Sequence, residues 1–264
     1  MKVGFIGCGN MARAMIAGIV KSGLLQADCV YAYDIHTQAV LAVQKELGIA
    51  AARDNIHLVE TADIIVLAVK PQVYEKVIAQ IKNNVRQNSI IVTITPGKTL
   101  AQIESWFGKP VKIVRTMPNT PATVGEGMTA VCCNKAVGEE ELKTVRSLFE
   151  SFGKTECVEE YMIDAVVGVS GSSPAYVFML IEAMADAAVA GGMSRQAAYV
   201  FASQAVLGSA KMVLETGKHP GELKDMVCSP GGTTIEAVRI LEKGGFRSAV
   251  MEAIKACMEK SRGM

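Results

Sequence analysis

An α/β fold is predicted, a doubly wound parallel sheet followed by an all-helical domain, and three features of the chain predict it. Short β-rich runs alternate with helical ones up to about residue 160. The first run, Val3 to Ile6, enters a small-residue turn, Gly7-x-Gly9-x-x-Ala12, that opens an amphipathic helix. After Tyr161, Ala, Met, Leu and Val recur at helical spacing and no convincing strand follows. The expected division is a Rossmann-type dinucleotide-binding domain over 1–160 and a helical domain over 161–264.

The elements follow in order. Val3, Phe5 and Ile6 suit a buried parallel strand, Gly7 permits a tight turn, and Gly9 lets backbone approach a pyrophosphate. Ala12 keeps the next helix near the sheet, and that helix carries Met11, Met15, Ile16, Ile19 and Val20 on its apolar side. Its free N–H groups make an anion seat. The strand Val30 to Tyr33 ends at Asp34, 22 residues after Ala12, where Rossmann proteins place the carboxylate that accepts from the adenosine ribose. That favours NADH over NADPH, since a 2′-phosphate would meet a like charge and no Arg follows immediately; a turn or cap aspartate is the plainer alternative.

A helix is predicted over Thr37 to Leu47, then a strand over Ile64 to Val69 that ends in Lys70-Pro71. Backbone of Ala68, Val69, Lys70 and Pro71 falls at the carboxyl edge of the sheet, where ligands sit in open α/β folds, although Pro71 equally suits a helix start. The pattern continues with a helix over Val73 to Asn83, strand Ile90 to Ile94, helix Leu100 to Phe107, strand Lys112 to Arg115, strand Thr129 to Cys132 and helix Glu139 to Phe152. Asn119, bracketed by Pro118 and Pro121, is a candidate partner for a nicotinamide carboxamide, or part of a proline-fixed connection.

In the second half, Ala175 to Met193 is the most membrane-like stretch, but Glu182 and Asp186 interrupt it and Gly191-Gly192 ends it, so it reads as a buried helix. A helix apolar nearly all round needs cover, and a domain of ~100 residues offers few enclosed helix positions. An intertwined homodimer is therefore expected. Two segments, Ser170 to Ala175 and Ser229 to Thr234, place small residues and hydroxyls before helices, as an anion nest does; plain N-capping explains one Ser or Thr but not the double glycine of the second.

Charge is balanced, with 27 Lys plus Arg against 26 Asp plus Glu, so nothing in the composition points to nucleic acid. Seven cysteines with no C-x-x-C pair and an odd count argue against a disulfide framework and for a reducing cytoplasm. A core strand at residue 1 is expected to leave no room for a signal peptide. Gly97-Lys98-Thr99 lacks the glycine a P-loop needs, that position being Val92. His36, His57 and His219 stand apart from any ligand-spaced partner, so no metal site is indicated.

Taken together, GCGNMA, LAVKP, MPNTP, SGSSPAY, SPGGTT and the run from His219 to Arg247 resemble pyrroline-5-carboxylate reductase nearly end to end. The resemblance implies an N-terminal Rossmann domain, a helical dimerisation domain and often the assembly of dimers into a ring-like decamer. It implies reduction of the C=N bond of 1-pyrroline-5-carboxylate to give L-proline, with cofactor contacts at Gly7, Gly9, Asn10, Met11, Ala12, Asn55, Ala68 to Pro71 and Asn119. The substrate turn would be Ser229, Gly232, Thr233 and Thr234, with the Thr234 hydroxyl donating to the ring nitrogen. Two positions depart from the family pattern, Ser173 in place of a glycine and Asp34 in place of neutral or phosphate-tolerant residues. A β-hydroxyacid dehydrogenase would need a catalytic lysine, for which only Lys211 is available between Tyr161 and Thr216. A non-catalytic nucleotide sensor could dispense with SPGGTT.

Overall fold

The computed structural model describes residues 1–263. One eight-stranded sheet has the order β3-β2-β1-β4-β5-β6-β7-β8. Its strands are β1 Val3–Ile6, β2 Val30–Tyr33, β3 Ala50–Ala51, β4 Ile64–Leu67, β5 Ile90–Thr93, β6 Lys112–Met117, β7 Gly127–Cys133 and β8 Gly153–Cys157. The accompanying helices are α1 Asn10–Lys21, α2 Thr37–Leu47, α3 Asn55–Thr61, α4 Tyr74–Ile81, α5 Leu100–Phe107, α6 Glu139–Glu150 and α7 Ile163–Val166.

Strand burial follows the pleat. Val3 and Phe5 of β1, Ile64 and Val66 of β4, and Val92 of β5 pack with Ile16, Val43 and Phe149 from α1, α2 and α6. The alternate residues Ile6, Ile65, Leu67 and Ile91 pack on the other face with Leu58, Ile78 and Ile103 from α3, α4 and α5. Both faces are thus sealed, which is why these strands read as unbroken apolar runs. Each such side chain contributes about 1.5–3 kcal/mol of burial.

The sheet is parallel as the sequence predicts except at one pairing, where β6 and β7 run antiparallel. Their connection, residues 118–126, holds only a short 3-10 turn at Thr120–Val124, and a parallel return takes a dozen or more residues. The elements β3, α3 and β8 were not predicted. β3 has two residues, α3 has seven, and β8 carries a polar Gly-Lys-Thr-Glu-Cys sequence that takes its strand form from parallel pairing with β7.

The chain separates into two compact units, residues 1–172 together with the chain's end from Cys257 on, and residues 173–256. Residues 161–172 and the C-terminal turns, expected in the helical domain, therefore pack with the sheet. Ser261 Oγ donates to Asp164 Oδ1 at 2.7 Å.

The second unit contains α8 Ser173–Ala190, α9 Arg195–Thr216, α10 Pro220–Val227, α11 Thr233–Lys243 and most of α12 Phe246–Arg262. Arg195 at the start of α9 pairs with Asp186 of α8 at 2.5 Å. Among its described residues only Ala185, Ala198, Ala202 and Leu223 are buried hydrophobics, whereas Phe178 is 63% exposed, Phe201 67% and Leu214 70%. The burial expected for α8 is not provided by the chain itself. The stretch 160–190 and α9 are long and apolar enough to cross a membrane by length and composition.

Candidate functional site

The strand order reverses at β1, whose neighbours are β2 and β4, so a crevice opens at the carboxyl ends of β1 and β4. Gly7 lies there with φ +104, and a Cβ on it would stand 2.6 Å from the Ala68 carbonyl oxygen. Only glycine fits. Its N–H donates to Tyr33 O and the Ala68 N–H donates to Ile6 O, both at 2.8 Å, so the turn knits the ends of three strands.

Gly9 is different. Nothing lies within 4 Å of the place a Cβ would take, and no side chain caps α1. The open space and the first N–H groups of α1, at Asn10, Met11 and Ala12, form a seat that a phosphate can approach to hydrogen-bonding distance. Ala12 is buried against the sheet as expected, Met11 half-buried and Asn10 exposed.

Asp34 closes the turn from the other side. Its Oδ2 accepts from the Cys8 N–H at 2.7 Å and its Oδ1 from the His36 N–H at 2.8 Å. The carboxylate therefore buttresses the glycine turn and retains lone pairs for further donors. Burial, with the Asp34 charge adding to it, pushes the Cys8 thiol up to about 11. Tyr33, Asp34, Thr37, Val40, Ala52 and Arg53 line a shallow cleft of about 100 Å³. Arg53 was missed in the sequence because it follows β3, a strand too short to leave a pattern; with it, the lining of the cleft includes a cation as well as the Asp34 carboxylate.

Asn55 is the first residue of α3, and its Nδ2 donates to Gln80 Oε1 at 2.9 Å while its Oδ1 is buried with no partner in the protein. That acceptor lacks the donor such groups normally have. Ala68 and Val69 are half-buried and Lys70 is exposed, with Pro71 opening a short 3-10 turn ahead of α4. Asn119 is largely committed within the fold: Oδ1 accepts from the Met128 N–H at 2.8 Å and Nδ2 donates to Ser170 O at 3.0 Å. One amide hydrogen remains for a ligand.

In the second unit, Ser229-Pro230-Gly231-Gly232 makes a turn in which the Gly232 N–H donates to Ser229 O at 3.0 Å and Gly231 has φ +68. Proline followed by a positive-φ glycine is the combination a type II turn uses. A Cβ on Gly232 would collide with Ser229 Oγ. The turn delivers the chain into α11 with Thr233 and Thr234 in its first turn and no side-chain cap. By contrast, Ser194 caps α9 and His219 Nδ1 caps α10. The amides opening α11 are thus left to an outside acceptor or to water.

Three other sequence expectations can be placed. Ser170 to Ala175 does not open a free helix start, because residues 167–171 form a π-helical turn and the Ser172 N–H is taken by Val167 O at 2.8 Å. The anion nest expected there is corrected accordingly. His57 Nδ1 accepts from the Arg53 N–H, and no cluster of three metal-ligating side chains occurs among the described residues. Lys211, the candidate of the dehydrogenase alternative, lies exposed on α9 and pairs with Glu215 at 3.4 Å.

Comparison with known proteins bears on the same regions. Residues 160–264 match the family model for pyrroline-5-carboxylate reductase dimerisation, and residues 2–97 that for NADP oxidoreductase, coenzyme F420-dependent. Pyrroline-5-carboxylate reductase of Escherichia coli is 55% identical over 260 residues, 98% of this chain and 97% of that one. The enzyme of Methanosarcina acetivorans is 42% identical over 99% of this chain and 97% of its own. The crystal structure of Plasmodium falciparum pyrroline carboxylate reductase with NADP bound superposes with a TM-score of 0.91 at 34% identity, covering 100% of this chain and 97% of that one. With a nucleotide seat at the head of its sheet, a glycine turn ahead of α11 and this similarity along its whole length, the chain belongs to the pyrroline-5-carboxylate reductase family.

Proposed function

We propose that this chain reduces the C=N bond of 1-pyrroline-5-carboxylate to give L-proline, using NADH or NADPH. The observation that carries the reading is the seat at Gly9: an uncapped helix start faced by space that a side chain would fill. A dinucleotide fits it. Gly7, Gly9, Asn10, Met11 and Ala12 would hold the pyrophosphate, Asp34 and Asn55 the adenosine half, and Ala68, Val69, Lys70, Pro71 and Asn119 the nicotinamide half. When bound, the reduced nicotinamide supplies the hydride.

The protein's own residues bind and orient. The amides of Thr233 and Thr234, behind the turn of Ser229 and Gly232, hold the substrate carboxylate, and the Thr234 hydroxyl donates to the ring nitrogen. Such positioning can be worth ~7–11 kcal/mol of barrier. A neutral threonine is a weak acid, so the ring nitrogen takes its proton from water relayed through this hydroxyl; with an imine that enters already protonated the bond reverses, the ring N–H donating to Thr234 Oγ1. In this scheme residues 1–160 carry the nucleotide, and 161–264 carry the substrate and the dimer contact.

Asp34 leans the adenosine site towards NADH, and Arg53 in the same cleft gives a 2′-phosphate a counter-charge, so both nucleotides are accepted. The exposed apolar surface of α8 and α9 is covered by a second copy, and dimers assemble further into a decamer. Small molecules are its partners, and neither nucleic acid nor a membrane is among them. Seven thiols, all free, suit a reducing cytoplasm.

The test is oxidation of NADH and NADPH with 1-pyrroline-5-carboxylate, run beside Thr234→Ala. Turnover with both nucleotides, faster with NADH, is expected. The variant should lose roughly ten- to a hundredfold in kcat, the factor of one hydrogen bond to a charged group, while nucleotide binding holds. No turnover by the natural chain rejects the reading; unchanged kinetics in Thr234→Ala reject the threonine's role.

A further inference from the structure

Tyr74 is the first residue of α4 and the bulkiest of the fully buried side chains, with 0% of its surface exposed. A phenol at such a place must find partners, and it finds them on two strand ends. Its hydroxyl donates to the carbonyl oxygen of Leu67, the last residue of β4, at 2.5 Å. Thr93 Oγ1, on the last residue of β5, donates to the phenol oxygen at 3.1 Å. The Thr93 carbonyl in turn accepts from Thr116 Oγ1 on β6 at 3.0 Å. One buried chain of hydrogen bonds therefore joins the carboxyl ends of β4, β5 and β6.

The position of these ends gives the chain its consequence. Leu67 immediately precedes Ala68-Val69-Lys70-Pro71, and Tyr74 follows that loop by one short turn, so the bond from Tyr74 to Leu67 closes the loop on itself. Thr116 stands three residues before Asn119. Apolar packing of α4 needs the Tyr74 ring but not its hydroxyl; Ile78 and Ile81 on the same helix are equally buried without any polar group. A hydroxyl at full burial carries a desolvation cost that packing alone does not require.

We propose that Tyr74 is a positioning residue for the nicotinamide nucleotide: its hydroxyl, with Thr93, fixes the 68–71 loop in the form that receives the cofactor. This rests on the reading of that loop as part of the nucleotide site. Burial raises the phenol's pKa, so it remains a neutral donor and acceptor throughout the working range. The loop has few other ties, one being the Val73 N–H to Lys70 O at 3.0 Å. Without the phenol bond its backbone samples other conformations, and ordering it on binding reduces affinity.

The experiment compares the full-length protein with Tyr74→Phe, Thr93→Val, Thr93→Ser and Ile78→Val. Nucleotide Kd is read by quenching of protein fluorescence, kinetics at saturating imine, and Tm by thermal melting. Tyr74→Phe and Thr93→Val should each raise Kd and KM for the reduced nucleotide about three- to tenfold, the factor of one lost hydrogen bond, with kcat less affected. Thr93→Ser restores the natural values. Ile78→Val lowers Tm through its lost methylene and leaves Kd unmoved, which separates positioning from stability.

If Tyr74→Phe lowers Tm but binds nucleotide as the natural chain does, the hydroxyl is structural only and the proposal fails. If Tyr74→Phe does not fold, Thr93→Val against Thr93→Ser decides by the same readout. A natural chain that binds no nucleotide overturns the reading of the loop itself, an outcome distinct from a natural chain that binds and a variant that binds equally.

Discussion

The sheet unit and the helical unit solve the same problem of apolar surface in opposite ways. In the sheet unit, residues such as Phe5, Ile65, Ile78 and Phe149 are closed to water by the chain's own helices. In residues 173–256 the large side chains point outward and only three alanines and one leucine are buried. The first unit is complete in one chain. The second leaves an exposed apolar expanse of the kind that marks an interaction surface. The match of residues 160–264 to a dimerisation model agrees.

Gly7→Val attacks the self-contained unit at its least tolerant point, and the largest effect is expected there. A β-branched residue would have to adopt φ +104 and force its Cβ against Ala68 O. Soluble protein should fall sharply, or Tm drop by about 10 °C with nucleotide binding lost, in melting and fluorescence assays. Normal binding by this variant would show that the turn can rearrange.

Phe201→Glu probes the other unit. In a single chain this ring is mostly in water, so a charge there should be nearly neutral; on a surface covered by a second copy it should be severe. Light scattering is expected to show monomers at concentrations where the natural chain is dimeric, with turnover reduced in step. An unchanged mass and activity would erase the contrast between the units at this face.

Glu141→Gln is the mildest. Its carboxyl is held below the ordinary glutamate value by Lys112, 2.5 Å away, and by the Gly138 N–H at 3.0 Å. A lowered folded-state pKa gives stability that is present above the unfolded value and lost as pH falls through the folded one. The variant should therefore melt a degree or two lower at neutral pH, a small shift because the pair is partly open to solvent, and should converge on the natural chain in acid. A difference that persists in strong acid would point to packing instead of charge.

Much of the nucleotide half was legible because each signal is local. Val3 to Ile6, Val30 to Tyr33 and Thr37 to Leu47 begin and end where the sequence placed them, since apolar runs and glycine turns act within a few residues. What escaped depends on distant partners. β8 exists by pairing with β7, Arg53 reaches the Asp34 cleft through a two-residue strand, and the Asn119 amide is claimed by Met128 and Ser170. The SPGGTT turn was readable as a helix opening, whereas SGSSPA was misread as one because a π-helical turn leaves no mark in residue type.

The thiol of Cys8 sits between the two glycines of the nucleotide turn, where damage would be most harmful. Its high pKa keeps it protonated at neutral pH, and the protonated form is a poor nucleophile. Electrophiles and peroxide should therefore meet the exposed sulfur of Cys157 on the outer strand first. The turn carries sulfur at its centre yet stays chemically quiet, and oxidative stress can mark this protein's rim before it disables its coenzyme seat.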